Sequence, residues 1–334
     1  MTPRRRSFAA AAAALPAAAA LAGPHRAAAQ GSASAPWPSR PIRIVVGFVA
    51  GGGTDITTRT LAPRLQEILG QPIVVENRPG AGGSLATEVV THAAPDGYTL
   101  LMGTISALVI NPVMQRLPFD VQADLTPITM AVDVLNILVV PPDRPWRSLP
   151  ELIAAARAQP DTLAYGSSGV GSAGHLGGAL LDRLAGIRTI HVPYRGGGQL
   201  ITDILSGKVD FAVATAATTL PHIEAGKLRA LAVPTARRSP LVPDLPTIAE
   251  AAGLPDYDLA NWYALLGPRG LLRPIVERVN AAMGEALRDP AIVASLARHG
   301  LEAKPSTPEE LTRHIREQTE KWAPVVRAAG ATPN

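Results

Sequence analysis

The chain has 334 residues, with 31 Lys and Arg against 27 Asp and Glu, 30 Gly, 32 Pro and no Cys. Arg4, Arg5, Arg6 and Arg26 precede Gln30 with no acidic residue among them, so the formal charge of +4 comes from that stretch and the remainder is neutral. A neutral body without basic clusters excludes nucleic acid as a partner. The lack of cysteine excludes disulfides, thiolate nucleophiles and Cys-based zinc sites.

Residues 1–29 join a basic start to a short alanine-rich run, and Ala27-Ala28-Ala29 supplies the small residues of a cleavage site, as in an export signal. Arg5-Arg6-Ser7-Phe8 resembles a twin-arginine signal, although Arg4 stands where Ser or Thr is usual. The run falls short of the roughly 20 strongly apolar residues of a membrane span, and no later stretch reaches that length. Residues 30–40 read as a flexible leader.

Periodicity then predicts a strand at Ile42–Phe48, a helix at Thr54–Leu69, a strand at Ile73–Glu76, a helix at Leu85–His92 and a strand at Thr99–Gly103. This βαβαβ run implies a parallel sheet covered by helices. Strands follow at Leu125–Met130 and Ile137–Val140, with a turn or hinge at Pro141–Pro145. A second α/β unit runs through helix Leu149–Arg157, strand Leu163–Gly166, helix His175–Leu184, strand Thr189–Val192, helix Gln199–Ser206 and strands Phe211–Ala214 and Leu228–Val233. After the proline-rich Pro240–Pro246, a strand at Trp262–Leu266 and helices at Pro274–Leu287, Ala291–His299 and Pro308–Ala328 return the chain to the first unit. The length left after the leader exceeds one typical core, so two lobes are expected: residues 41–138 begin lobe 1, 139–258 form lobe 2, and 259–334 complete lobe 1.

One pattern recurs four times: an apolar strand, a glycine-rich break with small hydroxyl residues, then a helix. The breaks are VAGGGTD after Phe48, NRPGAGG after Glu76, SSGVGSAG after Gly166 and RGGG after Tyr194. Each exposes backbone N–H groups at a helix start, where the unpaired donors and the helix dipole favour an anion.

The segments GFVAGGGTDITTR, VVENRPGAGGSLAT, PDGYTLLMGT, LAYGSSGVGSAGHL, HVPYRGGGQLITDILSGKVDFAV, LRALAV and LVPDLPTIAEAAGLPDYDLANWYALLGPRG run in order over almost the whole chain after Trp37. They resemble the periplasmic substrate-binding proteins of tripartite tricarboxylate transporters, the Bug proteins. The resemblance implies an α/β type II periplasmic binding-protein fold, whose two lobes close on a small ligand, usually a carboxylate. It also implies a periplasmic, non-enzymatic, monomeric receptor without cofactor or metal, delivering its ligand to membrane permease subunits. A dicarboxylate, an amino acid and an aromatic acid are all compatible ligands. The first loop departs from the family: where Phe-Pro-Pro-Gly-Gly is common, Phe48 is followed by Val49-Ala50-Gly51-Gly52-Gly53, which frees backbone angles that proline would fix.

Carried over by position, the family's ligand loops correspond to Phe48, Gly52, Gly53, Thr54 and Asp55 on one lobe and to Ser167, Ser168, Gly169, Gly171, Ser172 and His175 on the other. Several neutral donors aimed at one carboxylate can hold it where water is excluded. The glycines equally suit tight turns, and Thr54, Ser168 and Ser172 are ordinary capping types. Asp55 reads either as a loop brace or as an acceptor for a ligand ammonium or hydroxyl, and His175 either as a helix-start residue or as a ligand contact. Thr104 and Ser106, and Thr215 and Ala216, follow strands at the carboxyl ends where open α/β sheets bind ligands. Arg195, beside Tyr194, is either a cation over the pocket or a solvated arginine, and Trp262 reads as core.

Two rivals remain. Gly169-Val170-Gly171-Ser172-Ala173-Gly174 spells GxGxxG between a strand and a helix, as in a nicotinamide-dependent oxidoreductase. The acidic residue expected about 20 positions later is missing from Ile190-His191-Val192-Pro193. A periplasmic sensor feeding a two-component system would use the same clamp as a transport receptor.

Overall fold

The structure is a computed structural model that describes residues 37–328. The expected signal at residues 1–29, the start of the leader and the last six residues lie outside the described residues. The first elements are β1 (Ile42–Val46), α1 (Gly53–Leu69), β2 (Ile73–Asn77), α2 (Ser84–Thr91), β3 (Thr99–Thr104), α3 (Asn111–Met114), α4 (Val121–Asp124) and β4 (Leu125–Val134). The chain continues through β5 (Asn136–Val140), α5 (Leu149–Ala158), β6 (Ala164–Ser167), α6 (Ala173–Ala185), β7 (Ile190–Pro193), α7 (Gly197–Leu205), β8 (Phe211–Thr215), α8 (Ala216–Glu224) and β9 (Arg229–Ala232). It ends with α9 (Ile248–Ala252), β10 (Trp262–Pro268), α10 (Arg273–Ala286), α11 (Pro290–Ala297), β11 (Leu301–Ala303) and α12 (Pro308–Ala328).

These strands form two sheets, ordered β11-β4-β10-β3-β1-β2 and β7-β6-β8-β5-β9. In the first, β1 runs parallel to β2 and β3, and β10 runs antiparallel to β3 and β4. In the second, β6 runs parallel to β7 and β8, and β5 runs antiparallel to β8 and β9. The chain leaves the first sheet at Leu135, between β4 and β5, and returns at Asn261, ahead of β10.

Strand alternation explains why both faces of each sheet are covered. Ile42, Ile44 and Val46 of β1 pack with Leu61 and Leu65 of α1 and Met283 of α10, while Val45 points the other way into the cluster that holds Leu311 and Trp322 of α12. Likewise Ile137 and Val139 of β5 join Leu200 and Ile204 of α7, and Leu138 and Val140 join Leu176 and Leu180 of α6.

Most expected elements are present; the short helices α3, α4 and α9 were not expected, and three further differences stand out. β4 continues to Val134 rather than ending at Met130, because Val132 and Asp133 still pair with Tyr263 and Trp262 of β10, and Val134 pairs with Leu301 of β11. α8 was not expected: its sequence AATTLPHIE carries Pro221 and little periodicity, yet Thr215 precedes it as a helix start. β11 adds a three-residue edge to the first sheet. Among the described residues no helix is long and apolar enough to cross a membrane.

Candidate functional site

A cavity lies where the carboxyl ends of β1, β3, β6 and β8 face one another across the two sheets, and it is lined by Phe48, Gly52, Gly53, Thr54, Thr104, Ser106, Ser168, Ser172 and Thr215. These belong to four of the expected loops. Asn136, Ala173, Gly174, Gly197, Leu200, Val213, Ala214, Thr218, Asn261 and Tyr263 complete the wall. The free space is ≈ 50 Å³, room for a few water-sized groups at roughly 10–15 Å³ each.

Four helix starts meet here: α1 at Gly53, α6 at Ala173, α7 at Gly197 and α8 just beyond Thr215. The first N–H groups of a helix have no partner within it, and they form its positive end. Among the described residues no charged side chain lines the cavity. Its polarity comes from these backbone donors, of which Ala216 N–H at the start of α8 already donates to the Leu135 carbonyl at 2.8 Å, and from buried Thr54, Thr104, Ser106, Asn136, Ser172 and Asn261. A π-turn at Ser106–Ile110 follows β3 and brings Ser106 to the wall.

The first loop is shaped by Asp55, which does not line the cavity. Its carboxylate accepts hydrogen bonds from Gly51 N–H at 2.9 Å, from Arg59 Nε at 2.9 and 3.0 Å and from Asn77 Nδ2 at 2.9 Å. Asn77 Nδ2 also donates to the Phe48 carbonyl at 3.0 Å. Burial alone would raise the Asp55 pKa, but the hydrogen bonds from Gly51, Arg59 and Asn77 outweigh it and hold the carboxyl below its ordinary value. With every donor around it engaged, Asp55 braces the turn, and the alternative of direct ligand contact has no geometric support. Gly53 admits no side chain without a shift, because a β-carbon there would lie 2.8 Å from the Tyr263 hydroxyl. Burial pushes the Tyr263 phenol up to about 12, so it stays neutral.

On the second lobe Ser168 and Ser172 reach the cavity, whereas Ser167, Gly171 and His175 are not part of its wall and Gly169 lines the adjoining cleft with Ser168. Ser172 caps α6 by accepting from His175 N–H at 3.2 Å. The His175 ring turns back, and its Nδ1 accepts from Gly171 N–H at 3.1 Å. It stacks on His191 at 4.0 Å, and His191 Nε2 lies 2.7 Å from Ser167 Oγ. Burial lowers the pKa of His175 to about 4; burial, with the neighbouring His175, lowers that of His191 to about 3. Both rings are therefore neutral supports of the loop at ordinary pH. Ala216 lies outside the wall as well, at the start of α8 against the chain at Gly300.

The GxGxxG glycines serve packing. A β-carbon on Gly174 would lie 2.5 Å from the Val213 carbonyl, and one on Gly171 would lie 2.1 Å from Asn111 Oδ1 of the first lobe. Tyr194 and Arg195 line a separate outer cleft of ≈ 600 Å³, which shares Phe48 and Ser168 with the cavity wall. Trp262 is fully buried, in keeping with a core role.

Of the lining residues that sequence reading missed, Ala173, Gly174, Gly197, Leu200 and Thr218 lie in the first turns of α6, α7 and α8, while Asn136 and Tyr263 come from antiparallel strands. Asn136 of β5 pairs in register with Thr215, and Tyr263 of β10 with Thr104. The amino ends of β5 and β10 thus lie beside the carboxyl ends of β8 and β3, and the only signal for them was the strand direction.

Two α/β lobes with a polar, uncharged cleft at their facing strand ends define a two-lobed solute-binding protein. The sequence model described as "Tripartite tricarboxylate transporter family receptor" matches residues 57–331, and the chain belongs to this family. Protein BugT of Bordetella pertussis (strain Tohama I) is 38% identical over 297 residues, spanning 88% of this chain and 91% of BugT. The structure of R. palustris Rpa4515 with adipate superposes with a TM-score of 0.86 and 36% identity, covering 89% of this chain and 100% of that one. MatC (Rpa3494) from Rhodopseudomonas palustris with bound malate gives a TM-score of 0.82 and 32% identity, over 87% of this chain and 100% of that one. The resemblance read from the sequence is thereby borne out, and with it a receptor rather than an oxidoreductase.

Proposed function

We propose that the chain is an extracytoplasmic receptor that captures a small carboxylate between its lobes and delivers it to the membrane permease subunits of a tripartite tricarboxylate transporter. The observation that carries this reading is the meeting of four helix starts on a cavity without charged side chains, since such a wall stabilises an anion without a counter-cation. The adipate and malate held by the two neighbours support a carboxylate as cargo. Export to the periplasm by the signal at residues 1–29 completes the proposal. So does a division into lobe 1 (41–138 and 259–334) and lobe 2 (139–258); the two sheets support two such lobes, with the first crossing at Leu135 because β5 belongs wholly to the second sheet.

The test is thermal unfolding of the chain from Gln30 onward, refolded once to remove carried-over ligand, against carboxylates, amides and NAD(H). A ligand that binds only the folded state raises the midpoint, by an amount equivalent to about 2.7 kcal/mol at a hundredfold excess over Kd. A shift with one class of carboxylate is expected. A shift with NAD(H) alone would overturn the reading.

A further inference from the structure

Asn136 and Asn261 occupy the two places where the chain passes between the sheets, one directly after Leu135 and the other directly before β10. Both are buried, at 2% and 6% exposure, and both line the cavity. Asn261 Nδ2 donates to Asn136 Oδ1 at 2.9 Å. That bond uses one donor and one acceptor, and it leaves the Asn136 amide N–H₂ and the Asn261 carbonyl oxygen without a side-chain or backbone partner among the described residues. Exchanging O and N in both amides only swaps which residue offers which group. In either assignment the wall presents a donor beside an acceptor.

We propose that the Asn136–Asn261 pair reads a hydroxyl on the carbon chain of the bound carboxylate, so that hydroxy acids are preferred to the same acids without it. The proposal rests on the reading of the cavity as a carboxylate site. A carboxylate oxygen only accepts, so against this pair it leaves the acceptor unmatched. A hydroxyl accepts from one amide and donates to the other. An unsubstituted acid leaves both groups to an ordered water, which recovers part of the loss. The preference is therefore moderate rather than absolute. Adipate carries no hydroxyl and malate carries one, so the two neighbours do not decide which kind this chain prefers.

The test is calorimetric titration of the refolded chain with two matched pairs, succinate against malate and glutarate against 2-hydroxyglutarate. The hydroxy member of a pair that binds is expected to bind about tenfold tighter, the usual net worth of a hydrogen-bonded group. In Asn136→Ala and Asn261→Ala that ratio should fall towards one, while any general weakening at the two chain crossings cancels within each pair. Asn136→Ser, which keeps an acceptor for Asn261, serves if the alanine variants do not fold, and the wild-type ratio needs no variant at all. Equal binding of both members by the wild type, or a ratio unchanged in folded variants, overturns the role of the pair and leaves the carboxylate reading intact. Binding of no carboxylate, in these pairs or the wider panel, overturns both.

Discussion

Val49 and Gly196 meet across the mouth of the cleft: a β-carbon placed on Gly196 would lie 2.5 Å from Val49 Cγ2. Val49 stands in the loop before α1, at a position where relatives commonly carry proline, and Gly196 directly precedes α7. The close approach of the lobes at this point depends on the missing side chain. Gly196→Ala should therefore weaken carboxylate binding roughly 5–100-fold, the equivalent of ~1–3 kcal/mol of overpacking. Val49→Ala in the same chain should restore it. Isothermal titration of the single and double variants checks this coupling, and a double variant no better than Gly196→Ala contradicts it.

Ser168→Asp tests the charge logic of the cavity. Ser168 is only half-buried and lines the wall, so a carboxylate there has water for stability but no cation within the wall to offset its repulsion of an anionic ligand. Binding should fall by about a hundredfold or more, the like-charge cost of ~3 kcal/mol, with the unliganded melting temperature little changed.

Asp55 should behave as a structural residue. Asp55→Ala leaves the Gly51 N–H, Asn77 and Arg59 without their shared acceptor, and the expected loss is about 1–3 kcal/mol of stability. Denaturant unfolding measures it. Equal losses of affinity for acids with and without an amino group would agree with a brace. A selective loss for amino acids would mean that Asp55 reaches the ligand.

The stacked histidines set a pH dependence whose sign is fixed. Their folded pKa values, about 4 for His175 and about 3 for His191, lie below the unfolded value of about 6.5. Between pH 6.5 and the folded values the unfolded chain binds the extra protons, so stability falls as pH drops through that window. His191→Phe keeps an aromatic ring against Tyr165 and His175 and should flatten the fall of the melting temperature between pH 6.5 and 4. An unchanged slope would contradict the buried neutral assignment.

Much of the architecture was legible because both signals were local. Alternation in IRIVV separates the two faces of β1, and each glycine-rich break ends a strand and starts a helix. The same locality made Phe48, Gly53, Thr54, Ser168 and Ser172 readable as cavity residues. Asn136, Asn261 and Tyr263 were not, because their places depend on which strands run antiparallel, and that is set by tertiary pairing. His175 was left open between a helix-start residue and a ligand contact: its helix start is local and was found, but its ring, which accepts from Gly171 N–H, also stacks on His191, 16 positions away. α8 was hidden by Pro221 and its threonines, and its start brings Thr215 to the wall.

The most direct test of the central claim is a crystal structure of the chain with the carboxylate that binds it. The account predicts carboxylate oxygens about 3 Å from backbone N–H groups at the starts of α1 and α6, beside Gly53 and Ala173, with Arg195 away from the ligand. A carboxylate held instead by Arg195 in the outer cleft, with the inner cavity unchanged, would contradict it.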